Sequence, residues 1–297
     1  MDREPAHEPV LLAETIQLLD PSRGGVFVDC TVGLGGHTGA LLAAGASRVI
    51  ALDRDPTALA LASASLAAWG DRVELVHADY RQLGDVLDAR GADGIDGALA
   101  DLGVSSMQFD MEGRGFSFRR DEPLDMRMDQ TSGPTVADLL QSVDEQELAN
   151  VIFQFGEERF SRRIARGVVE ARRLSPVATT GQLAQIIRRA VPRRGYQRID
   201  PATRTFQALR IWVNRELDGL DAFLVETSRR LRAGARLAVI TFHSLEDRVV
   251  KHTFRALAAG EAALRVLTRK PVTPAAAEVA RNPRARSAKL RAIERLA

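Results

Sequence analysis

The chain reads as an α/β protein, a parallel sheet carrying an inserted helical domain. Three observations predict this. Short apolar runs that end in an acid alternate with helical stretches over the first hundred residues. The alternation stops after Asp101. A strand pattern returns at Arg236-Leu237-Ala238-Val239-Ile240-Thr241-Phe242. Strands separated by helical segments mark βαβ units, and hence a parallel sheet.

In chain order, Val26-Phe27-Val28-Asp29 is the first strand and runs into glycines. Residues 41–44 lie in an Ala/Leu-rich helical stretch. Arg48-Val49-Ile50-Ala51-Leu52-Asp53 is the second strand, followed by a helix over 56–69 with Pro56 suited to its first turn. Arg72-Val73-Glu74-Leu75-Val76 and Asp96-Gly97-Ala98-Leu99-Ala100-Asp101 are the third and fourth strands. Residues 104–134, rich in Gly, Arg, Asp and Met, read as a long loop, and loops of that length in compact domains are usually functional. Helical patterns follow over 136–140, 145–155, 159–173 and 180–190, the last with Thr180 as its cap. A basic Pro/Gly-containing stretch over 192–201 leads to helices over 203–217 and 219–232. After the fifth strand a helix starts from Leu245, capped by Ser244, and residues 263–269 and 288–296 form two final strands. The organisation expected is a discontinuous sheet domain, 1–107 with 209–297, and a helical insert, 108–208.

With 297 residues, 45% of them hydrophobic and 27% charged, the chain buries a sizeable core without covalent staples. Its one cysteine, Cys30, allows no internal disulfide, which fits a reducing compartment. No apolar run approaches the ~20 residues of a membrane helix, and Met1-Asp2-Arg3-Glu4-Pro5 is unlike a signal peptide. A cytoplasmic protein is expected. The five histidines, at 7, 37, 77, 243 and 252, lack ligand spacing, so no metal is expected.

The net charge of +2 conceals a division. Residues 1–103 hold 7 Arg against 16 acids, a net of −9, and the remainder holds 34 Lys+Arg against 23 acids, a net of +11. Within 159–215 there are 14 arginines and only Glu170 and Asp200 to offset them. A GC-rich genome accounts for most of the excess of arginine over lysine. It does not account for acids avoiding this stretch, and charge asymmetry of this kind points to a nucleic-acid or membrane partner.

In open α/β sheets ligands bind at the carboxyl ends of strands. The loop after the first strand, Asp29-Cys30-Thr31-Val32-Gly33-Leu34-Gly35-Gly36-His37-Thr38-Gly39, lets backbone approach a ligand. It fits the first two glycines of the dinucleotide fingerprint, but the third position is Thr38. Asp53 ends the second strand 18 residues after Gly35, where a carboxylate accepts from ribose hydroxyls. This set also suits S-adenosylmethionine, which has a ribose but no pyrophosphate and for which the missing third glycine matters less. Tyr80 is either an adenine-stacking ring or a core aromatic.

The second half carries more specific motifs: Asp101-Leu102-Gly103-Val104-Ser105-Ser106-Met107-Gln108, Arg114-Gly115-Phe116-Ser117-Phe118, Pro123-Leu124-Asp125-Met126-Arg127-Met128-Asp129, Gly156-Glu157-Glu158-Arg159-Phe160, Pro201-Ala202-Thr203-Arg204-Thr205-Phe206-Gln207-Ala208-Leu209-Arg210, Phe242-His243-Ser244-Leu245-Glu246-Asp247-Arg248 and Asn282-Pro283-Arg284-Ala285-Arg286-Ser287-Ala288. In this order, from His7 to the C-terminus, the set closely resembles the bacterial RsmH (MraW) family. The resemblance implies a class I S-adenosylmethionine-dependent methyltransferase with a Rossmann-like sheet and a helical recognition insert. It implies transfer to the N4 amine of a cytidine, family position 1402, in the 16S rRNA of the small ribosomal subunit near the decoding centre. It implies cofactor contacts at Gly35, Gly36, His37, Asp53, Tyr80, Asp101 and Gln108. The family often has Phe at Tyr80, and typically His where Asp200 stands, so a role for that side chain does not carry over.

The catalytic candidate is Asp101, which at a strand end is able to accept a hydrogen bond from the N4 amine; contact with the cofactor and a strand-end cap are its other readings. Phe116 and Phe118 either stack on the base or anchor their loop. Cys30 reads as a packed small residue. The arginines of 159–215 are the expected phosphate contacts. Oligomeric state, monomer or homodimer, is left open. An NAD-dependent oxidoreductase and a non-catalytic RNA-binding protein on a decayed fold are the rival readings. Thr38 speaks against the first, and the intact Asp29, Asp53 and Asp101 against the second.

Overall fold

The computed structural model describes residues 9–192 and 200–297. His7 and Glu8 of the first motif, and Arg193, Arg194 and Arg198 of the basic stretch, lie outside the described residues. The contacts divide the chain into two units, Met1–Gly103 with Asp218–Ala297, and Val104–Leu217.

The first unit begins with helix α1 (Leu12–Leu19) and then alternates: β1 (Val26–Asp29), α2 (Gly36–Ala43), β2 (Arg48–Asp53), α3 (Pro56–Leu66), β3 (Val73–His77), α4 (Leu83–Asp88) and β4 (Ile95–Asp101). Helix α3 starts where Asp55 accepts the Thr57 amide and Pro56 fills the first position, a cap worth about 1 kcal/mol.

The second unit holds α5 (Ser106–Asp110), α6 (Val136–Ser142), α7 (Glu145–Gly156), α8 (Ser161–Arg172), α9 (Thr180–Ala190) and α10 (Ala202–Asn214). The chain then returns to the first unit as α11 (Leu220–Arg230), β5 (Leu231–Thr241), α12 (Ser244–Gly260), β6 (Leu264–Val266), α13 (Ala276–Arg281) and β7 (Lys289–Arg295).

Among the described residues the sheet has the order β3-β2-β1-β4-β5-β7-β6. Strands β1 to β5 are mutually parallel, and β7 runs antiparallel between β5 and β6. The chain winds outward from β1 to β3 and then restarts on the other side with β4. The crevice between β1 and β4 is therefore the switch point at which such sheets bind ligands. Alternate strand residues face opposite layers, as the period of two requires. Val28, Ile50, Leu52, Ala98, Ala100, Leu237 and Val239 pack with Leu87, Phe223 and Phe254. Phe27, Val49, Ala51, Leu99, Ala238 and Ile240 pack with Leu41 and Leu66. Strands covered on both faces read in sequence as continuous apolar runs rather than alternating ones.

The insert has its own core, built from Leu140, Leu148, Ile152, Ile164, Val168, Leu183, Ile187, Phe206 and Leu209. The change of unit at its C-terminal side falls after α10, not at 208/209, because α10 is one unbroken helix whose Phe206 and Leu209 both enter this core. On the N-terminal side the change falls at Gly103, ahead of α5. The long loop contains α5 and is tied down within the insert. Arg114 donates to the Met128 carbonyl at 2.7 Å, and Asn214 accepts the Met128 amide and donates to the Met126 carbonyl, both at 2.7 Å.

Two caps differ from expectation by one residue. Thr179, not Thr180, caps α9, because its hydroxyl is the one that meets the Gln182 amide while Gln182 reaches back. His243, not Ser244, caps α12, its ring nitrogen accepting the Glu246 amide at 3.3 Å. No helix among the described residues is long and apolar enough to cross a membrane.

Candidate functional site

Three carboxylates stand at the carboxyl ends of adjacent strands, Asp53 on β2, Asp29 on β1 and Asp101 on β4. Each has a separate task. Asp29 is buried, accepts the Thr38 hydroxyl at 2.7 Å and accepts the Thr31 amide at 3.1 Å. Burial pushes its carboxyl up, while the His37 ring, the Thr38 hydroxyl and the Thr31 amide act in the opposite direction. Thr38 occupies the third-glycine position of the dinucleotide fingerprint, and there it anchors the loop to β1. Thr31 accepts the Asp101 amide at 2.7 Å, so the same segment also fixes the end of β4.

Asp53 accepts the Gly33 amide on one oxygen and the Asp55 amide on the other, both at 2.9 Å. Its carboxyl is pushed up to about 6, chiefly by burial, with the two amides opposing. Each oxygen retains a lone pair for another donor.

Gly35 opens α2 with φ of 85° and carries no side chain to cap the first amides of the helix. A Cβ there would lie 2.8 Å from Leu66, so glycine is required twice over, by conformation and by space. A Cβ on Gly36 would lie 2.4 Å from Pro9. The next residue, His37, is buried, and its Nε2 stands 3.6 Å from Asp101 Oδ2. Neither His37 ring nitrogen nor Asp101 Oδ1 finds a hydrogen-bond partner among the described residues. Buried polar atoms without partners are uncommon in folded proteins.

Tyr80 follows β3. Its ring packs on Phe223 with centroids 4.8 Å apart, and the side chain is partly buried against the core. Cys30 is buried, and burial and the Asp29 charge hold its thiol well above the usual range, which leaves it un-ionised and inert as a nucleophile.

The structure thus brings Gly35, Gly36, His37, Asp53 and Asp101 to the β2, β1 and β4 ends of one sheet, with Tyr80 after the neighbouring β3. Gln108 belongs to the other unit. There its side chain accepts the Ser105 amide at 3.0 Å and closes the capping box of α5. Within the insert, Phe116 is buried and Phe118 packs edge-on against Phe206 at 4.9 Å. Both rings anchor their loop in the insert core. The tethering roles of Thr31 and Thr38 escaped the sequence reading. Their signal was the interval from Asp29 to a loop that must be tied back to it.

Two backbone-bound carboxylates, a glycine turn, an uncapped helix start and orphaned buried polar atoms fit a nucleoside with a charged amino-acid tail. A family model described as the MraW methylase family matches residues 4–296. A protein of Anaeromyxobacter dehalogenans called ribosomal RNA small subunit methyltransferase H is 50% identical, over 98% of each chain. One of that name from Nitrobacter hamburgensis is 51% identical over 98% of this chain and 91% of its own. A crystal structure of a rRNA methylase from Streptococcus thermophilus aligns over 100% of this chain and 99% of its own, with 15% identity and a TM-score of 0.43.

Proposed function

The chain belongs to the MraW methylase family, and on that premise we propose its reaction: transfer of a methyl group to the N4 amine of one cytidine, family position 1402 of 16S rRNA, near the decoding centre. It is an S-adenosylmethionine-dependent methyltransferase of small-subunit ribosomal RNA. The observation that supports the reading best is the gathering of Asp53, the Gly35–His37 turn and Asp101 at adjacent strand ends, beside the switch point of the sheet.

Cytosine N4 is a weak nucleophile, because its lone pair is delocalised into the ring. S-adenosylmethionine supplies, when bound, an electrophilic methyl group on a sulfonium. Asp53 accepts from the ribose hydroxyls with the lone pairs its backbone partners leave. Tyr80 offers the open part of its ring to the adenine. Gly35, Gly36 and His37 present backbone. Asp101 accepts a hydrogen from the N4 amine, which localises the lone pair for attack, and takes up the proton the amine releases. His37 Nε2 stands 3.6 Å from that carboxylate. Holding the amine in line supplies on the order of 7–11 kcal/mol of the barrier reduction.

Residues 104–217 act as the substrate-recognition insert in this reading, and small subunits in the cytoplasm are the substrate. The test has two arms. Thermal unfolding is followed with S-adenosylmethionine and with NAD, and labelled methyl transfer is followed to small subunits and to free rRNA. Stabilisation by S-adenosylmethionine and label in the rRNA are expected. Stabilisation by NAD alone overturns the reading.

A further inference from the structure

Several arginines of 159–215 are engaged inside the insert. Arg166 faces Glu145 at 3.5 Å, Arg188 pairs with Asp200 at 2.8 Å, and Arg210 grips Glu216 through two bonds of 2.8 Å. Arg172 donates to the Leu140 carbonyl and Arg204 to the Glu157 carbonyl. These five serve the insert itself. Arg159, Arg162 and Arg163 are exposed, and none forms an ion pair among the described residues.

Those three line one cleft of about 360 Å³ between α7 and the start of α8. Its α7 wall carries Phe153, which is 60% exposed. Helix α7 turns Leu148, Val151 and Ile152 into the insert core, so Phe153 is an apolar residue the core does not use. The Arg159 guanidinium carbon lies over the Phe160 ring, 4.7 Å from its centroid. Single exposed apolar residues need no explanation. An exposed ring sharing a cleft with three guanidinium groups that have no carboxylate partner does.

We infer that this cleft binds single-stranded RNA, a base stacking on Phe153 and the flanking phosphates lying on Arg162 and Arg163. The planar Arg159, backed by Phe160, offers the base a second stacking face. Aromatic platforms beside a cationic track are how unpaired nucleotides are held, and a duplex keeps its base faces hidden. The volume falls in the ~300–1,000 Å³ range of small-ligand pockets. An acidic peptide would satisfy the arginines and leave Phe153 unused. The inference rests on the rRNA substrate proposed above and adds a docking point remote in sequence from the strand-end residues.

The test uses the full chain and a short labelled single-stranded RNA, with a duplex of the same sequence and polyglutamate as competitors. Phe153→Ala is expected to weaken RNA binding roughly 5- to 100-fold with the salt dependence unchanged. The double variant Arg162→Ala/Arg163→Ala is expected to lower the slope of log affinity against log salt by about 1.4, at ~0.7 per phosphate contact. Arg173→Ala, outside the cleft, serves as the control and is expected to bind as wild type. Affinity for S-adenosylmethionine stays unchanged in all variants. Wild-type RNA binding in both cleft variants overturns the inference, as does displacement of the RNA by polyglutamate or by duplex as readily as by the strand itself. Methyl transfer to small subunits is read separately. If wild type transfers methyl and the cleft variants bind normally, the cleft alone fails. If wild type transfers none while the cleft variants still lose RNA binding, the proposed reaction fails and the cleft stands.

Discussion

Replacing Asp53 by Asn separates the stability cost of this carboxylate from its binding role. Its carboxyl rises from the ordinary 3.8 to about 6 on folding. A carboxylate raised in the folded state contributes stability that is fully present below the unfolded value and is lost as pH rises through the folded one. At 1.36 kcal/mol per pH unit the loss is about 3 kcal/mol between pH 4 and above pH 6. Asn does not titrate, but its amide nitrogen cannot accept, so either the Gly33 or the Asp55 amide loses its partner, at about 1–3 kcal/mol. The variant is therefore expected to be less stable than wild type near pH 4 and close to it at pH 8. The gap should change by about 3 kcal/mol across the window. Urea unfolding of both proteins at a series of pH values measures it. Binding behaves differently. At pH 8 loss of a charge-assisted pair worth about 1.5–3 kcal/mol weakens S-adenosylmethionine binding by roughly 10- to 100-fold. Wild-type affinity falls as pH drops through 6, and the variant's does not. A stability gap that ignores pH, together with calorimetric affinity within twofold of wild type, would refute the reasoning.

Three further substitutions probe other parts of the structure. Asp101→Asn keeps the shape and one acceptor oxygen but removes the charge and the base that takes up the amine proton, so the methyl-transfer rate should fall by roughly 10²- to 10⁴-fold in single-turnover assays, with wild-type rate as the contrary result. Gly35→Ala places a Cβ 2.8 Å from Leu66 at φ of 85°, and should cost at least about 1–2 kcal/mol of stability by urea unfolding, with S-adenosylmethionine affinity reduced as the turn shifts. Asp247→Ala strands Arg291, a buried cation held at 2.6 Å, and takes a partner from Lys289; a loss of about 3–5 kcal/mol is expected in the same assay. The Arg291 and Lys289 bonds hold the Asp247 carboxyl below its usual range despite burial, so the wild-type advantage should also shrink in acid, as pH falls through the folded value.

The sheet was legible because doubly covered parallel strands leave continuous apolar runs, and β1, β2 and β4 each stop at an acid. The site was legible for the same reason: strand ends, a glycine turn and Asp53 stand at fixed intervals. What escaped depended on tertiary contacts. Position 208/209 looks like a domain edge in sequence, yet Phe206 and Leu209 commit the whole of α10 to the insert. Neighbouring Thr179 and Thr180 are equal candidates for a cap until backbone direction chooses between them. The start of β5 at Leu231 was read as the end of a helix, since its pairing with Ile95 is visible only across the sheet. Phe116 and Phe118 have the composition of a base clamp, and only their burial assigns them to the core. The arginines of 159–215 likewise could not be sorted by spacing, because Glu145 and Glu216 reach them from outside the stretch.

The central claim is the atom that receives the methyl group. Small subunits carrying an unmethylated target are incubated with the protein and deuterium-labelled S-adenosylmethionine. Their rRNA is then digested for nucleoside mass spectrometry, with the labelled fragment mapped. The account predicts labelled N4-methylcytidine at a single site next to the decoding centre. Label on carbon 5 of cytosine, on another base or on ribose, or no label at all, would contradict it.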